Sequence, residues 1–112
     1  MTIQIFGTKK CKDTQKAIRF FQERRVSIHQ VNLLEKPISK GELENILRVI
    51  PIEDLMDKEG KEYKKQNLQY VKFNIAEKLL ENSMLLKTPI ARNGKNVTVG
   101  YKPDVWTDWL KS

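Results

Sequence analysis

The chain has a single cysteine, Cys11, and a single histidine, His29, among its 112 residues. One cysteine excludes an intramolecular disulfide and any switch that opens and closes one, so the domain must fold without covalent staples. His29 stands between Ile28 and Gln30 with no cysteine or carboxylate at ligand spacing. It reads as surface or sheet-edge packing rather than as a metal ligand or an acid–base group. Long apolar runs are also missing: hydrophobic residues make up 39% of the chain but are dispersed, and no segment approaches the ~20 apolar residues that span a bilayer. The opening MTIQIFGTKKCK has neither a basic start with an apolar block nor a small-residue cleavage site, which leads us to expect a soluble, cytoplasmic protein. Repeats, low-complexity tracts and linkers are absent as well, so residues 1–112 are expected to form one domain.

Charge is lopsided, at +7. The lysines are spread along the whole chain and no aromatic-basic or recognition-helix signature accompanies them, so direct nucleic-acid binding is not expected.

What is present is a strong pattern of alternating elements. Ile3, Ile5 and Phe6 form a short apolar strand ending at Gly7, and Cys11 lies in the polar loop that follows. Ala17, Ile18, Phe20 and Phe21 recur at helical spacing and predict an amphipathic helix from Lys12 to Arg25. Ile28, Val31 and Leu33 predict a second strand, and the helix between the strands makes the pair parallel. Pro37 ends the extended run. Ser39 with Glu42 is a capping-box pattern, and Leu43, Ile46, Leu47 and Ile50 share one helical face, giving a helix from about Ser39 to Val49. Pro51 and Gly60 punctuate the next stretch, and Phe73, Ala76, Leu79 and Leu80 predict a helix near Val71 to Asn82. Ile90 to Arg92 and Asn96 to Val99 flank Asn93-Gly94, a hairpin signal. Pro103 marks the start of a last helix, with Val105, Trp106, Trp109 and Leu110 as its packing face. The two tryptophans read as core rather than as a stacking platform. The expected fold class is α/β: a four-stranded mixed sheet of the thioredoxin type, with a helical insert (about 38–83) between a βαβ half and a ββα half.

Four segments carry a family resemblance: Phe6-Gly7-Thr8-Lys9-Lys10-Cys11-Lys12-Asp13-Thr14, Asn32 to Leu43, Leu86-Lys87-Thr88-Pro89-Ile90, and Val99-Gly100-Tyr101-Lys102-Pro103. In this order and spacing the chain resembles the ArsC-type proteins, a group of thioredoxin-fold arsenate reductases, Spx transcription regulators and YffB-type relatives, and it is most similar to the last. The resemblance implies that Cys11 is the redox-active thiol and that Thr88-Pro89 is a cis peptide facing it, where Thr88 can pair with glutathione or an extended peptide. It also implies departures. Family arsenate reductases grip the oxyanion with three arginines, and the matching positions here are Asp57, Thr88 and Lys102. Spx proteins typically carry Cys-x-x-Cys, and Thr14 takes the place of the second cysteine.

A cysteine used as a nucleophile needs surroundings that favour its thiolate. Cys11 precedes a helix N-terminus, with Lys9, Lys10 and Lys12 beside it and the Thr14 hydroxyl one turn on, while Asp13 opposes. The bland alternative is an inert loop thiol. The expected reading is a monothiol oxidoreductase in which Cys11 and Thr14 act on a disulfide, Lys10, Lys12, Thr88, Pro89 and Lys102 bind substrate, and Arg92 is a weaker candidate. No cofactor is expected beyond glutathione, or another external thiol, as co-substrate. The competing reading is a non-catalytic, Spx-like protein that binds RNA polymerase.

Overall fold

The computed structural model describes residues 2–68 and 72–111. Strands β1 (Thr2–Gly7), β2 (Ser27–Asn32), β3 (Ile90–Asn93) and β4 (Asn96–Val99) form a mixed sheet in the order β2-β1-β3-β4. β1 runs parallel to β2 and antiparallel to β3, which pairs antiparallel with β4. Helix α1 (Lys12–Glu23) links β1 to β2. Helices α2 (Lys40–Leu47), α3 (Ile52–Leu55), α4 (Lys61–Lys65) and α5 (Ile75–Glu81) lie between β2 and β3, and α6 (Pro103–Lys111) closes the fold. None of the described helices is long and apolar enough to cross a membrane.

Period-two alternation in β1 sends its side chains to two separate cores. Ile3 and Ile5 join Ala17, Phe20 and Phe21 of α1, Ala91 of β3, and Trp106 and Trp109 of α6. Phe6 points the other way, among Val31, Leu43, Ile46, Leu55, Leu79 and Ile90 under the helices that follow β2. With both faces covered, the middle of the sheet is dry. His29 is exposed on the edge strand β2.

Local chemistry moves several boundaries. α1 stops at Glu23 rather than Arg25, which lies in the left-handed region at φ 59. α2 starts where expected, the Ser39 hydroxyl accepting from the Glu42 amide at 3.1 Å and the Glu42 carboxylate from the Ser39 amide at 3.0 Å. It ends at Leu47, short of Val49. Val71, the expected start of the next helix, lies outside the described residues, and α5 begins only at Ile75 because the Asn74 side chain caps the Glu77 amide at 3.1 Å. The hairpin turns at Gly94-Lys95, with Asn93 still paired to Asn96. Of these two loop residues only Gly94 (φ 59) takes positive φ, as a two-residue loop with glycine first requires. Val105, expected to pack, is exposed. Replacing Ser39 by alanine removes half of the capping box and should lower stability by about 1 kcal/mol, read from chemical denaturation.

Candidate functional site

The loop carrying Cys11 is shaped by a glycine. A Cβ built on Gly7 would come within 2.5 Å of Thr14 Cγ2. The absence of a side chain there lets the first turn of α1 settle onto the end of β1. The Cys11 amide donates to Thr8 O at 3.2 Å, the Gln15 side chain donates to Lys9 O, and Gln15 N donates to Cys11 O at 3.2 Å. Cys11 is thereby the N-cap residue of α1, with extended backbone.

Two further connections bring the rest of the site to the sulfur. The Thr88–Pro89 peptide is cis, and Gly100 N donates to Pro89 O at 2.8 Å, which brings the segment leading to Lys102 alongside. On the other flank, Met56 and Leu86 form an antiparallel bridge, with Asp57 N donating to Leu85 O at 2.8 Å and Lys87 N to Leu55 O at 2.7 Å. This short clamp holds Asp57 beside the approach to Thr88. Cys11 is half-buried between two open hollows. The larger, about 780 Å³, is lined by residues including Asp13, Asp54, Asp57, Lys87, Thr88 and Lys102. The other, about 540 Å³, is lined by residues including Lys10, Asp57, Lys61, Glu62 and Thr88.

The thiol donates to the Thr88 carbonyl at 3.7 Å and closes no formed cap bond with the helix amides. Burial pushes its pKa up. The Thr14 and Thr88 side chains and the Thr14 and Asp13 amides, all of which favour the anion, outweigh burial and hold Cys11 below the ordinary thiol value. The expected lysine contribution is absent from these causes, because Lys9, Lys10 and Lys12 extend into solvent, where their charge is screened. Thr14 is itself unusual: its side chain is buried, yet Oγ1 has no well-formed hydrogen bond in the thiol state. A thiolate at Cys11 would supply the missing acceptor.

That arrangement yields a paired expectation for Thr14→Val, which keeps the shape and removes the hydroxyl. Losing an unsatisfied buried hydroxyl should stabilise the fold by about 1 kcal/mol. Losing a donor to the thiolate should move the pH–rate profile of Cys11 alkylation to higher pH. In the wild type, the lowered thiol pKa adds stability that is fully present above the ordinary thiol pKa and is lost as pH falls through the lowered value. Denaturation as a function of pH, compared between the two proteins, checks both signs.

Of the residues singled out in the sequence, the structure gathers Cys11, Lys10, Thr88 and Lys102 around the two hollows. Thr14 and Pro89 lie behind them, buried. Lys12 lines neither hollow, because it begins the outer surface of α1. Arg92 lines neither hollow; it sits on β3 opposite Gln4, its Nε donating to Gly94 O at 2.9 Å in the hairpin. Asp54 and Lys87 had no sequence signal of their own. They reach the larger hollow through the clamp and the short helix α3. No group of three or more His, Cys, Asp or Glu residues among the described residues is placed to hold a metal ion.

The ArsC family model matches residues 6–109. The chain belongs to the ArsC family. Among its relatives is the global transcriptional regulator Spx 2 of Oceanobacillus iheyensis, 31% identical, the match covering 93% of this chain and 80% of Spx 2. Another is the uncharacterized protein YusI of Bacillus subtilis, 27% identical over 93% of this chain and 94% of YusI. Among solved structures, a YFFB protein superimposes with a TM-score of 0.84 at 20% identity, covering 95% of this chain and 96% of that one. An ArsC family related protein from Bacteroides fragilis superimposes with a TM-score of 0.81 at 21% identity, covering 96% and 98% of the two chains. These last two likenesses speak for the fold, which is the expected thioredoxin-like one.

Proposed function

We propose that this ArsC-family protein is a cytoplasmic monothiol oxidoreductase acting through Cys11 on disulfides, with glutathione or another small thiol as the resolving partner. The observation that carries the reading is a half-buried thiol, set between two open hollows and opposite Thr88–Pro89, whose neighbours favour its anion. The Cys11 thiolate attacks one sulfur of a disulfide, forming a Cys11 mixed disulfide and expelling the other sulfur as a thiolate. An external thiolate then attacks the mixed disulfide and regenerates Cys11. Thr14 steadies the thiolate, the Thr88 backbone pairs with the incoming chain, and Lys10 and Lys102 border the substrate. No second cysteine can resolve the intermediate internally. Turnover of a glutathione mixed disulfide, followed by glutathione reductase coupling, tests this reading; a rate equal to the uncatalysed background would refute it. Arsenate reduction should be negligible, because Asp57 and Thr88 stand where family reductases have oxyanion-binding arginines.

The kinship with a global transcriptional regulator favours a second reading, in which the protein binds RNA polymerase without turnover. Co-purification of polymerase with a catalytically silent chain would support that alternative.

A further inference from the structure

Asp57 is placed unlike any other charge around Cys11. It lines both hollows that flank the sulfur. Of the charged residues bordering the larger one it alone is half-buried, whereas Asp13, Asp54, Lys87 and Lys102 are exposed. Its carboxylate has no hydrogen-bond or ion-pair partner among the described residues. Gly60 makes room for that carboxylate, since a Cβ there would lie 2.6 Å from Oδ2. The Met56–Leu86 bridge fixes the backbone on which Asp57 sits. A half-buried, unpaired carboxylate that borders both hollows is screened less than the exposed charges at their rims, so for a group bound beside Cys11 Asp57 weighs more than Lys87 or Lys102 does singly.

We propose that Asp57 is a specificity-determining residue that selects small disulfides carrying an ammonium group next to the reacting sulfur and disfavours those carrying a carboxylate. This inference rests on the oxidoreductase reading of Cys11 and names its substrate class. The step is the same exchange: the Cys11 thiolate displaces one half of an aminothiol disulfide, leaving a Cys11–S–S–R bond and a released aminothiolate that takes a proton from water. The positive substrate group sits against Asp57 in both the encounter and the mixed disulfide. The selection runs against the protein's overall charge of +7, which on long-range attraction alone would favour anionic disulfides.

The test measures rates of Cys11 mixed-disulfide formation with cystamine, 2-hydroxyethyl disulfide and 3,3′-dithiodipropionate. Each rate is divided by that of N-acetylcysteine with the same reagent, to remove intrinsic reactivity. Replacing an attraction by a repulsion at a partly exposed site should favour cystamine over the dicarboxylate by about fivefold at low salt. The preference should shrink in high salt and in Asp57→Asn, and shrink less in Asp54→Asn, which removes an exposed charge from the rim of the same hollow; circular dichroism and denaturation of each variant check that it is folded. Equal normalised rates, a preference for the dicarboxylate, or a cystamine preference unaltered by Asp57→Asn in a folded protein would overturn the role of Asp57 while leaving the oxidoreductase reading standing. Failure of all three reagents with the folded chain, while the denatured chain reacts, would remove both.

Discussion

Replacing Cys11 with serine should reduce disulfide turnover to the uncatalysed background and abolish every thiol adduct, because the chain has no other sulfhydryl to take its place. The loss should be complete rather than partial. Serine retains the shape of the loop but its hydroxyl has a far higher pKa, and nothing around it acts as a strong base: the sulfur's neighbours are two threonines, two amides and the Thr88 carbonyl. Stability should change little, within about 0.5 kcal/mol, since the bonds that Cys11 makes to Thr8 and Gln15 are backbone bonds and survive the exchange. Activity and denaturation measured on the same preparation separate the chemical role from a structural one. Residual turnover in Cys11→Ser would mean that catalysis does not pass through this sulfur.

The largest structural effect is expected at Trp106. It is fully buried on α6, packs against Phe20 and Phe21 with ring centroids 5.4 and 5.2 Å away, and lies edge-on to Tyr101 at 5.6 Å. Its indole N–H donates to Thr98 Oγ1 at 2.8 Å, joining the last helix to β4. Trp106→Ala would empty the centre of the core between α1, α6 and the sheet and leave the buried Thr98 hydroxyl without its donor. A cost of about 3–5 kcal/mol follows, a large fraction of the ~5–15 kcal/mol that domains possess. Trp106→Phe keeps much of the volume and loses the hydrogen bond, so it should cost markedly less. Urea denaturation of the three proteins measures the series.

Much of this fold was legible in the chain because its signals are local. The Ser39/Glu42 capping box, the apolar spacing of α1 and the alternation in β1 each follow from residues a few positions apart. Boundaries were less legible where a side chain could cap more than one turn or a glycine could take either loop position: Asn74 delays α5, and Gly94-Lys95 rather than Asn93-Gly94 forms the hairpin loop. At the site, Cys11 and Thr14 lie on one turn of the chain, and their nearness could be read directly. The balance that sets the thiol's acidity could not. Three neighbouring lysines suggested a charge effect, but whether a lysine faces the sulfur or the solvent depends on side-chain direction, which sequence spacing does not fix. The placement of Asp57, through a clamp between segments about 30 positions apart, is likewise a tertiary fact.

The most direct test of the central claim is intact-mass analysis of the native protein exposed to oxidised glutathione over a range of pH, followed by addition of a small thiol. The account predicts a single glutathionyl adduct at Cys11, formed at lower pH than an ordinary thiol requires and persisting until the added thiol removes it. Native protein left unmodified at mildly alkaline pH, under conditions in which the denatured chain reacts readily, would contradict it.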